Sequence, residues 1–570
     1  MPRHRPLLTA LTCSALLVPG CLQRNWESYD ALYGDSDGSG TTSASATDTA
    51  DGWDTVSSVT ITDSSSASAM STTGDPEPTS TATSGEEDPT TGSTTAAPAG
   101  PPTILYLDLA PSPIHANGPI NLAVEAEDAD RIDVVFDKGA TITLLPSEDD
   151  ENTFVGEIPI YTGLDNGEHF AEFIPRRDDE VGESRFAPYL VDLPDPGSEL
   201  FWEIDALSGV GIAGSLGVLP DGDIVELGTR YVAADEPRCY LRRRDPGGAW
   251  GPADVIELFP GSKCEAVDLE IAPDGGLHVL LRRTIGNNKL WWAGSSPSWG
   301  ATFETRGAGD PGEDAHALAL ADETLAVCGT APAEGDIDAF VQVFRPMQPG
   351  QRREFDFLDP DDEFVDPHVF DETPRDCVFL DESRLVVVGE VVGEFENKNV
   401  KASRRFVLEY DTLTDTAVEQ PFVLHAAAAD APKSFAFAVA IGPFDDLLIV
   451  GSECDLDCPK GTAKDKLWVQ TLGGAVLRET TLGTHAADNY SPSSVLWHPA
   501  HYALVANGAD SDTFLVRAVD PYSEVVLWTF TRSGMNGLQL AFALALGDYG
   551  QVYAAGFGAG SFPAIAYIAG

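Results

Sequence analysis

Two histidines three residues apart, in His498-Pro499-Ala500-His501, have a spacing that could chelate a metal, but the proline between them reads as a turn. Cys454 and Cys458 bound the segment Cys-Asp-Leu-Asp-Cys, which is open to a local disulfide or to half of a zinc site. No second cysteine pair or histidine lies nearby to complete the zinc set. The run Asp359-Pro360-Asp361-Asp362-Glu363-Phe364-Val365-Asp366 has the oxygen density that a calcium ion takes, and equally the composition of a solvated turn. Trp291, Trp292, Trp299 and Trp468 could stack on a sugar or fill strand cores. HExxH and Walker A patterns are absent. With 91 Asp and Glu in the chain, spacing alone singles out no acid–base pair.

The net charge is −57, from 34 Lys plus Arg against those 91 acids. Such a field repels nucleic acid and anionic membrane surfaces and attracts cations and basic proteins. At 570 residues there is room for two or three domains.

Arg3 and Arg5 precede an apolar run from Leu7 to Val18, then Pro19-Gly20-Cys21. A basic start, a short apolar run and a small residue before a cysteine describe a signal peptide (1–20) rather than a membrane span. The segment Leu17-Val18-Pro19-Gly20-Cys21 resembles the bacterial lipobox, with Val18 at −3, Gly20 at −1 and Cys21 at +1. That resemblance implies a diacylglyceryl thioether on Cys21 and cleavage before it. Leu22 at +2 is not the Asp that retains lipoproteins in the inner membrane of enteric bacteria, so it implies an outer-membrane anchor.

Residues 21–101 then read as a tether. Ser and Thr supply 28 of the 60 residues from Thr41 to Gly100, and no Lys or Arg occurs between Arg24 and Arg131. Too few apolar residues are present to offset ordering entropy, which predicts disorder. About 80 such residues give a reach on the order of 50 Å. Within the tether, Asp35-Ser36-Asp37-Gly38-Ser39-Gly40 looks like the start of a calcium loop, but its twelfth position is Ala46 rather than Glu.

From 102 to 196 the chain shows seven short alternating runs, beginning with Ile104 to Leu109 and ending with Arg185 to Leu193. They are broken by turn signals such as Asn117-Gly118 and Asp165-Asn166-Gly167. This spacing predicts a β-sandwich. The stretch resembles bacterial Ig-like domains, without the cysteines of the antibody kind, and the resemblance implies a spacer.

Residues 197–570 repeat. Each unit has an apolar strand, a tight acidic or Gly turn, and a second apolar strand, as in Ile212 to Leu219, Pro220-Asp221-Gly222-Asp223, Ile224 to Gly228. A third strand follows, then a more polar fourth, at roughly 48 to 62 residues per unit, which predicts propeller blades. The seventh unit ends after three strands, and Leu200-Phe201-Trp202-Glu203-Ile204-Asp205 is similar to Leu527 to Thr531 of the sixth, so it is expected to complete the seventh. The whole is an all-β chain: an Ig-like β-sandwich followed by a seven-bladed β-propeller. Gln551-Val552-Tyr553-Ala554-Ala555-Gly556 resembles the strand signature of bacterial seven-bladed propeller repeats. The full plan resembles surface lipoproteins of the myxobacterial kind.

Six cysteines fall in the repeats: Cys239, Cys264, Cys328, Cys377, Cys454 and Cys458. An even count outside the cytoplasm favours disulfides, with fifteen connectivities open. The repeat map favours neighbours, Cys239 with Cys264, Cys328 with Cys377 and Cys454 with Cys458. Ser296-Pro297-Ser298-Trp299-Gly300-Ala301-Thr302-Phe303 resembles the Asp-box of sialidase propellers, with Ser298 in place of the Asp. In that family the box is a structural hairpin, so the resemblance implies no catalysis.

No catalytic constellation or cofactor site assembles from these residues, calcium being the one ion with a candidate loop. The expectation is an envelope lipoprotein whose propeller is a non-catalytic platform for a protein or glycan partner, and not for nucleic acid. The alternatives are a glycan-directed hydrolase or lyase using carboxylates around the central channel, and a structural envelope protein.

Overall fold

The computed structural model describes residues 100–569 outside several connecting stretches, the longest being 356–369 and 420–432. Cys21, the Asp35–Gly40 segment, the Asp359–Asp366 run and Cys458 lie outside the described residues. Every regular element among those described is a strand. They fall into two compact units, 100–194 and 195–570.

In the smaller unit, strict alternation decides which side of each strand is buried. Ile120, Leu122, Val124 and Ala126 share one face of the strand Gly118–Glu127. That strand sits between Thr103–Ala110 and Thr153–Ile160 in a three-stranded sheet. A second sheet contains Thr141–Leu144, Arg131–Phe136, Gly167–Arg177, Glu180–Val181 and Arg185–Val191. One core joins the two sheets, with Ile120 and Leu122 of the first packed with Ile132, Val134 and Phe173 of the second. Seven of these eight strands correspond to the alternating runs. The eighth, Glu180–Val181, is two exposed residues and carries no periodic signal.

The larger unit is built of seven antiparallel meanders among the described residues. The first six run in chain order from 211 to 258, 263 to 308, 314 to 355, 370 to 419, 433 to 486 and 494 to 532. A single parallel contact, Ile337 with Asp371, links the third to the fourth. The seventh has three consecutive strands, Leu540–Leu546, Val552–Gly558 and Phe562–Ile568. Its fourth strand is Glu199–Ile204, antiparallel to Phe562–Ile568.

Apolar residues on both faces of the inner strands predict burial on both sides, and that is where the core sits. It is divided among the gaps between meanders. Leu227 and Leu241 of the first pack with Leu269 and Leu281 of the second. Ala213, Leu216 and Ile224 of the first pack with Ala543, Tyr553 and Ile565 of the seventh. Equivalent clusters fill each gap in between. Each fully buried Leu, Val or Ile contributes roughly 1.5–3 kcal/mol.

Two disulfides span gaps. Cys239 on the third strand of meander one bonds Cys264 on the first strand of meander two, with Cα atoms 5.3 Å apart. Cys328 of meander three bonds Cys377 of meander four across 6.7 Å. Cys454 is also disulfide-bonded.

Candidate functional site

The first strand of every meander faces one cavity of about 580 Å³. The local rule that shapes it is a β-bulge. In six of the seven first strands the register with the second strand slips by one residue at the same place. A bulge adds an unpaired residue and re-aims the side chains beside it. The extra residues are Gly214, Val267, His316, Arg375, Phe437 and Phe542, and all but Val267 line the cavity. Ser493 and Trp497 line it from the meander without a bulge.

The residues just after the bulges form a second level: Ser215, Asp268, Ala317, Asp376, Ala438 and Ala543. Where this residue is polar it bonds to the neighbouring strand. Leu269 N–H donates to Ser215 Oγ at 3.2 Å, Leu318 N–H to Asp268 Oδ2 at 2.9 Å and Val439 N–H to Asp376 Oδ2 at 2.9 Å. The remaining carboxylate oxygens are also engaged. Asp268 Oδ1 accepts from Ser215 Oγ at 3.1 Å and from its own neighbour Leu269 at 2.9 Å, and Asp376 Oδ1 accepts from Cys377 N–H at 2.9 Å.

Glu270 stands on the same cavity wall, two residues beyond Asp268. Burial, then the nearby Asp268 and Asp376 carboxylates, push its carboxyl well above the usual range. Arg375 is held by Glu390 at 2.5 Å in a pair that is almost fully enclosed. His316 Nδ1 lies 3.3 Å from Arg282 Nη2, and Arg282 in turn pairs with Asp314. Among the described residues the cavity lining is apolar with aromatic and acidic groups, and its arginine, Arg375, is already paired with a carboxylate.

The candidates singled out by spacing lie elsewhere or do structural work. His498 ends a strand, fully buried, with Nε2 2.8 Å from Gly550 O; burial lowers its pKa to about 4. His501 is exposed at positive φ in the turn, and the two do not form a chelate. Trp291 and Trp292 are buried, donating to Glu313 and Thr305 at 3.1 Å each, and buried Trp468 lies under the Arg405 guanidinium at 4.4 Å. Trp299 packs at the edge of the core between the first two meanders. In the Ser296–Phe303 segment, Ser296 Oγ lies 2.9 Å from Ser298 O and 3.1 Å from Ala301 O, its one proton shared between them, across the turn joining the two strands. Among the described residues no group of three or more His, Cys, Asp or Glu is placed to hold a metal ion.

Spacing could not have selected Asp268, Glu270 and Asp376. For the two aspartates the signal is the repeat itself: aligned on the inner strands, Ser215, Asp268, Ala317 and Asp376 fall in one column of small or acidic residues, while Glu270 stands two residues further along.

No protein-family model matches the chain, and no curated protein matches it. Among solved structures it is similar to a prolyl endopeptidase, at 15% identity and a TM-score of 0.38 over 80% of this chain. The chain spans about half, 54%, of that protein's length. It is similar to an α-L-arabinofuranosidase from Fusarium graminearum at 10% identity and TM-score 0.38, covering 65% of this chain and 97% of that one. It is likewise similar to an α-L-arabinanase from Penicillium chrysogenum at 10% identity and TM-score 0.37, over 63% of this chain and 94% of the other.

Proposed function

We propose that the seven meanders form a closed seven-bladed β-propeller behind an Ig-like sandwich, carried on a lipid-anchored envelope protein. The propeller is a non-catalytic binding platform whose ligand enters the axial cavity. One observation supports binding over chemistry. Of the three cavity carboxylates, Asp268 and Asp376 accept backbone N–H bonds on both oxygens, spanning to the next meander through one of them. A carboxylate so engaged is fixed in direction by the backbone donors it serves rather than free to turn toward a substrate. Anchoring rests on the lipobox resemblance at Cys21 and the Ser/Thr-rich tether.

A second reading, a glycan-directed hydrolase, is favoured by Glu270. Its carboxyl, raised by burial and the two neighbouring carboxylates, shifts in the direction a general acid needs. One experiment separates the two: residues 101–570 are offered to envelope extract, a glycan array and a hydrolase substrate panel, with Glu270→Gln in parallel. A saturable partner without turnover supports the platform. Turnover abolished by Glu270→Gln overturns it in favour of the hydrolase.

A further inference from the structure

Among the described residues, the three most exposed large apolar side chains of the meanders lie at one end. In a four-stranded antiparallel meander the first–second and third–fourth turns share an end. There Met347 is fully exposed, Leu413 is 68% and Phe444 77% exposed, on turns of the third, fourth and fifth meanders. These tips belong to one continuous arc. Arg345, two residues from Met347, donates to Thr412 Oγ1 at 2.6 Å, beside Leu413. Asp445, next to Phe444, lies within electrostatic reach of Arg384 on the fourth meander. The Phe444 ring meets Tyr522 of the sixth meander edge-on at 5.5 Å.

Hydrogen bonds pin the backbone of the Leu413 and Phe444 turns. Asp411 accepts N–H bonds from Leu413 and Thr414 at 2.9 and 3.0 Å, and Tyr522 OH donates to the buried Asp446 carboxylate at 3.0 Å. Covering a pre-ordered apolar group costs little entropy. Around the tips stand Asp381, Asp411, Asp415, Asp445, Asp520 and Glu524 against Arg345, Arg353 and Arg384; Arg384 pairs with Asp381 and Arg353 with Asp415, so the carboxylates still outnumber the cations. A second copy of this face, or an anionic lipid surface, would bring like charge to like.

We propose that this arc docks a basic protein segment whose apolar side chains cover Met347, Leu413 and Phe444 while its Lys and Arg meet the surrounding carboxylates. This names the partner chemistry and rests on the binding-platform reading. The test uses the full chain and a labelled synthetic peptide of alternating Leu and Lys, with Ser/Lys and Leu/Glu peptides beside it at about 0.15 M salt. The Leu/Lys peptide should bind at least about tenfold tighter than either control. The triple variant Met347→Ser/Leu413→Ser/Phe444→Ser should lose about tenfold, whereas Val232→Ser/Ile285→Ser at the opposite end should lose nothing. Should the triple variant melt below the parent, Phe444→Ser alone carries the test with an expected loss of about threefold. Equal binding of the Ser/Lys peptide, or no effect of the tip variants, overturns the proposal. So does tip-dependent binding to phosphatidylcholine/phosphatidylglycerol vesicles in place of the peptide, which would assign the arc to lipid. A partner still held at the axial cavity after either failure would leave the platform reading standing.

Discussion

Arg532 and Glu199, 333 positions apart in the chain, form an ion pair of 2.8 Å between the sixth meander and the strand that completes the seventh. On the other side Glu203 of the same strand pairs with Arg244 of the first meander. Trp202, between them, packs edge-on against Phe514 at 4.9 Å and lies under the Arg532 guanidinium at 5.7 Å. The ion pairs orient the strand, and the partly buried indole packs against the core between the sixth and seventh meanders.

Trp202→Ala should therefore lower the unfolding free energy by about 2–4 kcal/mol. Glu199→Ala, which removes a partly exposed pair, should cost less than about 1 kcal/mol. Urea denaturation of the two variants checks the ordering; a larger loss for Glu199→Ala would contradict it.

Removing an inter-meander carboxylate strands a backbone donor. Asp376→Ala leaves Val439 N–H without its 2.9 Å acceptor, and Asp268→Ala does the same to Leu318 N–H. Each substitution is expected to cost about 1–3 kcal/mol. Ala317→Ser, at the equivalent place in meander three, is the comparison and should be nearly neutral. Thermal melts read all three.

Glu270 gives a pH signature. Its carboxyl is raised in the folded protein by burial and by Asp268 and Asp376, so the unfolded chain releases that proton more readily. Stability from this group is present below the ordinary carboxyl range and is lost as pH rises through the folded value. Glu270→Gln should melt higher than the parent at pH 7–8, and the difference should close as pH falls toward about 4. A constant difference across that range would show that the group is not ionising against its neighbours.

The two inter-meander disulfides close loops of 25 and 49 residues. In the chain-entropy description, losing either by Cys239→Ala/Cys264→Ala or Cys328→Ala/Cys377→Ala costs about 3–4 kcal/mol, with the longer loop costing more. Non-reducing peptide mapping of the parent should recover both cross-linked peptides, and free thiols at these positions would remove the basis of the comparison.

Acylation at Cys21 predicts that membrane-extracted protein has a mature N-terminus there carrying acyl chains. Intact mass measures it. A Cys21→Ser chain that is still anchored and cut at the same bond would overturn the lipobox reading.

Where burial alternates along a strand, the sequence showed it, as in Ile120, Leu122, Val124 and Ala126. It showed the start of a strand poorly when the first residues are polar. Lys263-Cys264-Glu265 begins a first strand ahead of its apolar run, and Phe370 to Asp376 adds seven residues ahead of Cys377. In the second case the buried polar residue is Glu372, so no apolar period could announce it. The cavity was hidden for a different reason. Its lining depends on a one-residue slip between paired strands, and a slip is a property of the pair that neither strand carries alone. The carboxylates at Asp268 and Asp376 become distinct from the other acids only when the inner strands are laid over one another.

The pairing of Glu199–Ile204 with Phe562–Ile568 also sets a timetable. Ile204 meets Ala564, about 360 residues further along, whereas the other meanders pair strands that follow one another closely. Closing a loop that long adds several kcal/mol of entropic cost before any contact is gained, and contacts so distant form slowly. Six meanders can nucleate as the chain emerges from synthesis. The seventh waits, with an edge of Phe562–Ile568 and the face of Trp202 uncovered until the two meet. That interval, rather than the completed seventh meander, is when the chain is most open to strand exchange with another copy of itself.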